Sequence, residues 1–168
     1  MPRALSVLLL LLTACADRPA SDARALPPSH SSADSAFTLV QARGQVAMGV
    51  DQYTSAHRFD PLPDGGMISL QRDSLDSAGV AQIRSHMRTI AASFKSGNFT
   101  LPGFVHDREV PGTDVMAAHR SSITYAVDTL PGGAQLRLTT ADPAALAAIH
   151  EFLAFQRHDH RAGGGGGH

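Results

Sequence analysis

An internal duplication constrains the fold of this 168-residue chain more than any other feature of its sequence. Residues 57–70 (HRFDPLPDGGMISL) and residues 125–138 (YAVDTLPGGAQLRL) are related segments with Leu-Pro-x-Gly at the same place in both. Glycine at this spacing is typical of a tight turn between antiparallel strands, where the backbone adopts positive φ. Each segment is therefore predicted to form a β-hairpin.

A helix is predicted after each hairpin, because apolar residues recur there at helical spacing. In the first copy these residues are Val80, Ile83, Met87, Ile90 and Phe94, and in the second they are Leu146, Ile149 and Leu153. Asp76 or Ser77 is expected to cap the first helix, and Asp142 followed by Pro143 has the pattern of an N-cap with proline at the first helical position. Gly97 follows the first helix as a stop.

These elements predict an α+β fold with two ββα pseudo-repeats. The hairpins form a four-stranded antiparallel sheet, and both helices pack on one face of it, because alternating strands need cover on their apolar side. A further helix or strand is expected over 37–48, and an ordered connector over 99–118.

The N-terminus has the organisation of a secretory signal. Arg3 precedes an apolar run over 5–12, and small residues then lead to Cys15, the only cysteine of the chain. The run is shorter than the roughly 20 apolar residues that a membrane span needs. The ending Leu-Thr-Ala-Cys resembles the bacterial lipobox, which implies cleavage after residue 14 and lipidation of Cys15. The predicted partner is thus a membrane, through the lipid anchor.

The residue after Cys15 refines this localisation. Ala16 stands where an inner-membrane retention signal would place aspartate, so the resemblance implies the periplasmic face of the outer membrane. An ordinary secreted protein with a free thiol is the alternative.

Composition divides the rest of the chain. Residues 15–36 are rich in Ser, Ala, Asp, Arg and Pro and are predicted to form a disordered tether that carries the lipidated Cys15. Residues 37–162 are predicted to be a single α+β domain, and residues 163–168 a disordered glycine-rich tail. Removing 1–14 takes away only Arg3 and changes the net charge from −1 to −2. With no basic stripe, the chain is not expected to bind nucleic acid.

Nine histidines are the main chemical signal. His57 is two residues before Phe59 on a strand and should share its inward face. The histidines predicted to converge into a metal site are His57, His86, His106 and His150, with His160 as an additional ligand. Imidazole suits Zn and Cu, and thioether from Met48, Met67, Met87 or Met116 would favour Cu(I). No pair has metal-motif spacing, so separate structural histidines are the alternative. For His158 and His160, a cationic ring at the end of the second helix is a sufficient structural role.

Catalytic motifs are missing from the sequence. It contains no Gly-x-Ser-x-Gly elbow, P-loop or dinucleotide fingerprint. Acidic residues near histidines are Asp107, Glu109 and Asp159. A hydrolase would need an unrecognised Ser/His pair, so an enzyme is the less favoured hypothesis.

Three segments carry a family resemblance: residues 47–59, the turn 63–66 and residues 148–156. They are similar to a group of small exported bacterial proteins of unknown function, and the likeness covers most of 37–162. Some such sequences are described as aspartate carbamoyltransferases. This chain lacks the Ser-x-Arg-Thr-Arg motif of those enzymes, so it gives that activity no support.

The resulting hypothesis is a membrane-anchored lipoprotein of the cell envelope with a non-enzymatic ligand-binding domain that handles Cu or Zn through its histidines. Two alternatives remain. One is a structural or assembly lipoprotein that contacts a protein partner through its sheet face, and the other is the hydrolase.

Overall fold

The computed structural model describes residues 31–162. The predicted signal peptide, the predicted lipidation site Cys15, the predicted tether up to residue 30 and the predicted tail 163–168 lie outside the described residues. Within the described range, the elements in chain order are α1 (Ser32–Met48), β1 (Ser55–Leu62), β2 (Gly65–Arg72), α2 (Ser77–Lys95), α3 (Thr100–His106), α4 (Thr113–Ala118), a 3₁₀ turn (Arg120–Ser122), β3 (Ile123–Leu130), β4 (Gly133–Thr140) and α5 (Pro143–Asp159).

The sheet confirms the α+β fold that the duplication predicts. Its four antiparallel strands have the order β1-β2-β4-β3, so the second strand of each hairpin lies at the centre. The two hairpins match residue for residue at an offset of 68: β1 begins at Ser55 and β3 at Ile123, and β2 begins at Gly65 and β4 at Gly133. His57 and Tyr125 therefore occupy equivalent positions.

The two long helices cover the same face of the sheet, but each packs mainly on the hairpin of the other repeat. Helix α2, which follows the first hairpin, packs mainly on β3 and β4, and α5, which follows the second, packs mainly on β1 and β2. Ile83 of α2 and Ile149 of α5 are completely buried against the central strands, together with Leu136 and Leu138 of β4. Each helix covers the hairpin of the other repeat more than its own, so each repeat depends on the other for its core.

The predicted caps are present at both long helices. The Asp76 side chain accepts a hydrogen bond from the backbone of Gly79, and Asp142 accepts from Ala144 and Ala145 ahead of α5. Gly97 has φ +81° directly beyond α2, as a stop requires.

The N-terminal helix is longer than the prediction. Helix α1 begins at Ser32, inside the segment predicted as tether. Ser31 and Asp34 explain this start, because the Ser31 hydroxyl accepts from the backbone N–H of Asp34 and donates to its carboxylate at 2.7 Å. The predicted connector 99–118 contains α3 and α4; α3 packs on α1 and α4 packs on α5. None of the helices in 31–162 has the length and apolarity to cross a membrane.

Candidate functional site

A cavity of about 80 Å³ lies under helices α1 and α3, on the face of β1 and β2 that α2 and α5 leave partly uncovered. We call it the histidine cavity, because its wall includes His57, His86, His106 and His160. The rest of the wall is almost entirely apolar. It includes Ala47, Met48, Phe59, Leu70, Met87, Ile90, Val105 and Phe152.

Four different elements supply these histidines. His57 is on β1, two residues before the buried Phe59, and His86 is on α2 directly before the buried Met87. His106 is the last residue of α3, and His160 is the C-cap of α5. Four separate elements thus bring to one cavity three histidines of the predicted set, His57, His86 and His106, together with the predicted additional ligand His160.

Stacking holds three of the rings close together. The ring centroids of His57 and His160 are 5.1 Å apart with an interplanar angle of 23°, and Phe59 lies 5.4 Å from His160. The ring of His106 meets His160 edge-on, also at 5.1 Å. An aromatic cluster thus forms one end of the histidine cavity.

Burial keeps three of these imidazoles neutral. It lowers the pKa of His86 to about 4, and burial with a smaller effect of the His86 charge lowers the pKa of His57 to about 4. The pKa of His160 falls to about 3, first through burial and then through the charges of His57 and His106. The cationic role expected for His160 at the helix end is therefore wrong, because its ring turns into the apolar cavity instead of towards solvent.

These three rings are also poor in hydrogen bonds. Hydrogen bonding is not among the causes of any of their pKa shifts. The Nδ1 atom of His160 is fully buried and has no hydrogen-bond partner among the described residues. Because buried polar groups in proteins are almost always hydrogen-bonded, this buried nitrogen of His160 at the cavity wall points to a ligand that bonds it.

His106 differs from the other three because both of its nitrogens are engaged. Nδ1 donates to the carboxylate of Asp159, which also accepts from Arg108 at 2.9 Å. Nε2 lies 3.0 Å from the side-chain oxygen of Gln156. His106 is therefore a fixed wall of the cavity, with no free nitrogen for a ligand.

His150 does not belong to the cavity. Its Nε2 lies 2.9 Å from the carbonyl oxygen of Leu62 and 3.0 Å from that of Gly65, at the turn between β1 and β2. Arg84 of α2 binds the turn of the other hairpin in a similar way, because its guanidinium donates hydrogen bonds to the backbone carbonyls of Leu130 and Gly133. These carbonyls are equivalent in the two repeats, so His150 has the structural role of a turn clamp, and the predicted metal set loses it.

Of the four methionines considered as thioether ligands, only two line the histidine cavity. Met48 and Met87 line the histidine cavity, whereas Met116 is completely buried elsewhere in the core. Met67 is on the side of β2 opposite to the buried Ile68. Across residues 31–162, no group of three or more His, Cys, Asp or Glu side chains is placed to hold a metal ion.

The acidic residues near histidines do not form a hydrolytic site. Asp107 pairs with Arg43 at 2.8 Å, and Glu109 is exposed. A second pair joins His119 to Asp142 at 2.6 Å, but the adjacent Ser122 hydroxyl donates to the His119 backbone carbonyl and to Asp142, away from the imidazole ring. A nucleophile activated by histidine requires the opposite arrangement.

Sequence reasoning missed Gln156 and the part that α1 and α3 play as a cover. The signal for Gln156 was its spacing, since Phe152, Gln156 and His160 are four residues apart along α5 and lie on one side of it. The cover carries no such local signal, because the packing of α1 on α3 joins segments distant in the chain.

Comparisons with protein-family models, curated proteins and solved structures find no match to this chain. The resemblance to small exported bacterial proteins therefore stays a prediction, and function has to be inferred from the cavity itself.

Proposed function

We propose that this protein is a lipid-anchored component of the bacterial cell envelope that binds a small ligand in the histidine cavity and catalyses no reaction. The observation that carries the proposal is the set of neutral imidazoles of His57, His86 and His160 around one apolar cavity, with the Nδ1 atom of His160 unbonded to any described residue. Concave apolar pockets with a few convergent polar groups are the usual form of ligand sites.

The ionisable groups of the cavity favour binding over catalysis. A general base works best with a pKa near the operating pH, and the pKa values of His57, His86 and His160 are about 4, 4 and 3. His106 has a carboxylate partner like a catalytic histidine, but its Nε2 faces Gln156 where a nucleophile would have to be.

The alternative of a partner-binding sheet face has weaker support. Charged and amide side chains such as Arg58, Asp60, Gln135 and Arg137 lie on the uncovered face of the sheet, opposite to the buried residues of the same strands. Such a face suits contact with water, and any protein partner there would have to be polar.

The anchor is tested by changing its cysteine. We expect the full chain expressed in a Gram-negative host to fractionate with membranes and to carry the mass of acyl chains on Cys15, and the Cys15→Ser chain to appear in the soluble periplasmic fraction. The reason is that two or more acyl chains anchor durably, whereas the unmodified chain has no such attachment. Membrane fractionation and intact mass are the measurements. An unmodified wild-type chain in the soluble fraction contradicts the anchor.

Ligand binding is tested by filling the cavity. Ala47 lines it and Ala42 is exposed on the same helix, so Ala47→Leu fills the cavity and Ala42→Leu is the matched control. We expect wild type and Ala42→Leu purified from membranes to carry a bound species by native mass spectrometry and elemental analysis, and Ala47→Leu to lack it. Cavity filling should also raise the free energy of unfolding of Ala47→Leu by about 1 kcal/mol. If wild type and Ala47→Leu each have the mass of their own ligand-free chain, the proposed function is contradicted.

A further inference from the structure

We infer that the ligand of the histidine cavity is a single Cu(I) ion, held by one ring nitrogen each of His57 and His160 and by the thioether of Met48 or Met87. The inference rests on the proposed function and adds the chemical class of the ligand. It changes the ligand set expected from sequence, because His106 and His150 have structural partners.

The donor atoms of the cavity are neutral and mostly soft. Its wall contains two thioethers and neutral imidazoles but no carboxylate or thiolate. Hard cations such as Mg²⁺ and Ca²⁺ need oxygen ligands, so this wall does not suit them. Thioether selects Cu(I), and imidazole also suits copper.

The distance between the two rings fits a shared ion. With metal–nitrogen bonds of about 2.0 Å, two imidazoles on one metal have ring centroids roughly 4.5–6.3 Å apart. The centroids of His57 and His160 are 5.1 Å apart. In the structure these rings stack, so aiming one nitrogen of each at a common ion takes a turn about χ2, which is a broad torsion for histidine.

Zn²⁺ fits the same residues less well. Protein zinc sites use three or four ligands from Cys, His, Asp and Glu, and the described part of the chain places no three of these side chains together. A Cu(I) site with two histidines and a methionine needs only two ligands from this set of Cys, His, Asp and Glu side chains. The low polarity of the wall also favours Cu(I) over Zn²⁺, because burying a cation without a counter-charge costs less free energy for a monovalent than for a divalent ion.

The test measures Cu(I) affinity on the full chain in detergent, without oxygen, in competition with a chromophoric Cu(I) chelator. Every sample carries Cys15→Ser, so that this thiol cannot bind copper. We expect one Cu(I) per chain, and a loss of affinity of more than about 100-fold in His57→Phe and in His160→Phe, beyond the 10–100-fold typical of losing an outer partner of a metal ligand. One of Met48→Leu and Met87→Leu should weaken binding and remove the sulfur signal from the copper X-ray absorption spectrum.

Three controls separate ligation from folding. His150→Gln keeps a donor for the turn and should bind Cu(I) like wild type, as should His158→Gln, whose histidine is exposed on the last turn of α5. Urea unfolding of His160→Phe should show unchanged or higher stability, because the substitution removes an unbonded buried nitrogen.

The outcomes distinguish this inference from the proposed function. Wild type that binds no Cu(I), or that binds it as tightly as His160→Phe, overturns the copper assignment. If membrane-purified wild type then carries an organic molecule that Ala47→Leu lacks, ligand binding stands and only the ion is wrong. If membrane-purified wild type carries no bound species, both the copper assignment and the proposed ligand binding are wrong.

Discussion

Metal-free protein is expected to unfold cooperatively between pH 6.5 and pH 4, far from the acid range in which carboxylates alone would unfold it. The cause is the burial of His57, His86 and His160. Their pKa values in the folded protein are about 4, 4 and 3, against 6.5 for an exposed histidine.

The sign of the effect follows from the proton count of each state. Above pH 6.5 these rings are neutral in both the folded and the unfolded chain, so they contribute no pH dependence. Between pH 6.5 and 4 the unfolded chain takes up protons that the folded chain refuses, and the free energy of unfolding falls by about 1.4 kcal/mol per pH unit for each histidine. Three histidines approach about 4 kcal/mol per pH unit, which is large against the roughly 5–15 kcal/mol stability of a domain.

Other charged groups do not cancel this loss. Hydrogen bonds from Arg161 to Asp34 and from His119 to Asp142 lower the pKa of these two carboxyl groups below 3.8, so the stability they contribute is lost only at still lower pH. Asp159 is hydrogen-bonded to His106 and Arg108, and its charge is not among the causes that shift the pKa values of His57, His86 and His160.

Urea unfolding at a series of pH values from 7.5 to 4.5 measures the slope directly. The matched variant is the double substitution His57→Phe and His160→Phe, which should reduce proton uptake from nearly three to about one per chain. A free energy of unfolding that stays constant between pH 6.5 and pH 5 in wild type would show that the imidazoles are solvated.

Gly133→Ala is expected to destabilise the protein by about 3 kcal/mol or more, at the upper end for single substitutions. Gly133 begins β4, where a Cβ would overlap the backbone carbonyl oxygen of Leu70 and lie 3.1 Å from the Ile83 side chain. The carbonyl of Leu70 belongs to the central strand β2 and cannot move without disturbing the pairing of β2 with β4. The substitution therefore acts on the contact that joins the two repeats.

The control for this prediction is Gly103→Ala. A Cβ at Gly103 meets only the Arg108 carbonyl at 3.6 Å, which is an ordinary contact, and the residue lies inside helix α3, where alanine is favoured. Gly103→Ala should leave the urea midpoint unchanged or raise it. Equal effects of the two substitutions would contradict the close approach of β4 to β2.

Local patterns explain why the hairpins and the long helices are predictable. The alternation of Phe59 with the polar residues Arg58 and Asp60, the Leu-Pro-x-Gly turns and the caps Asp76 and Asp142 all act within a few residues of chain. These interactions join residues close together in the chain, so the sequence alone is enough to predict them. The start of α1 at Ser32 is equally local, but the cap formed by Ser31 and Asp34 lies within a stretch whose composition favours disorder.

The site depends instead on contacts between distant segments. His150 and His160 lie on the same helix, and spacing alone gives each a place near its apolar side. Only the exchange of helices between repeats brings His150 to the turn of the first hairpin and His160 over His57. The sequence could predict that several histidines converge, but it could not tell which of them meet.

The sequence by itself determined the duplicated ββα pattern and the single cysteine with its lipobox-like context, because both are statements about neighbours along the chain. The tertiary structure decided that α2 and α5 exchange hairpins, that α1 and α3 cover a cavity, and that three neutral imidazoles face it. The physical reason is that the pKa and the bonding of His57 and His160 follow from burial, which exists only after the two repeats pack together.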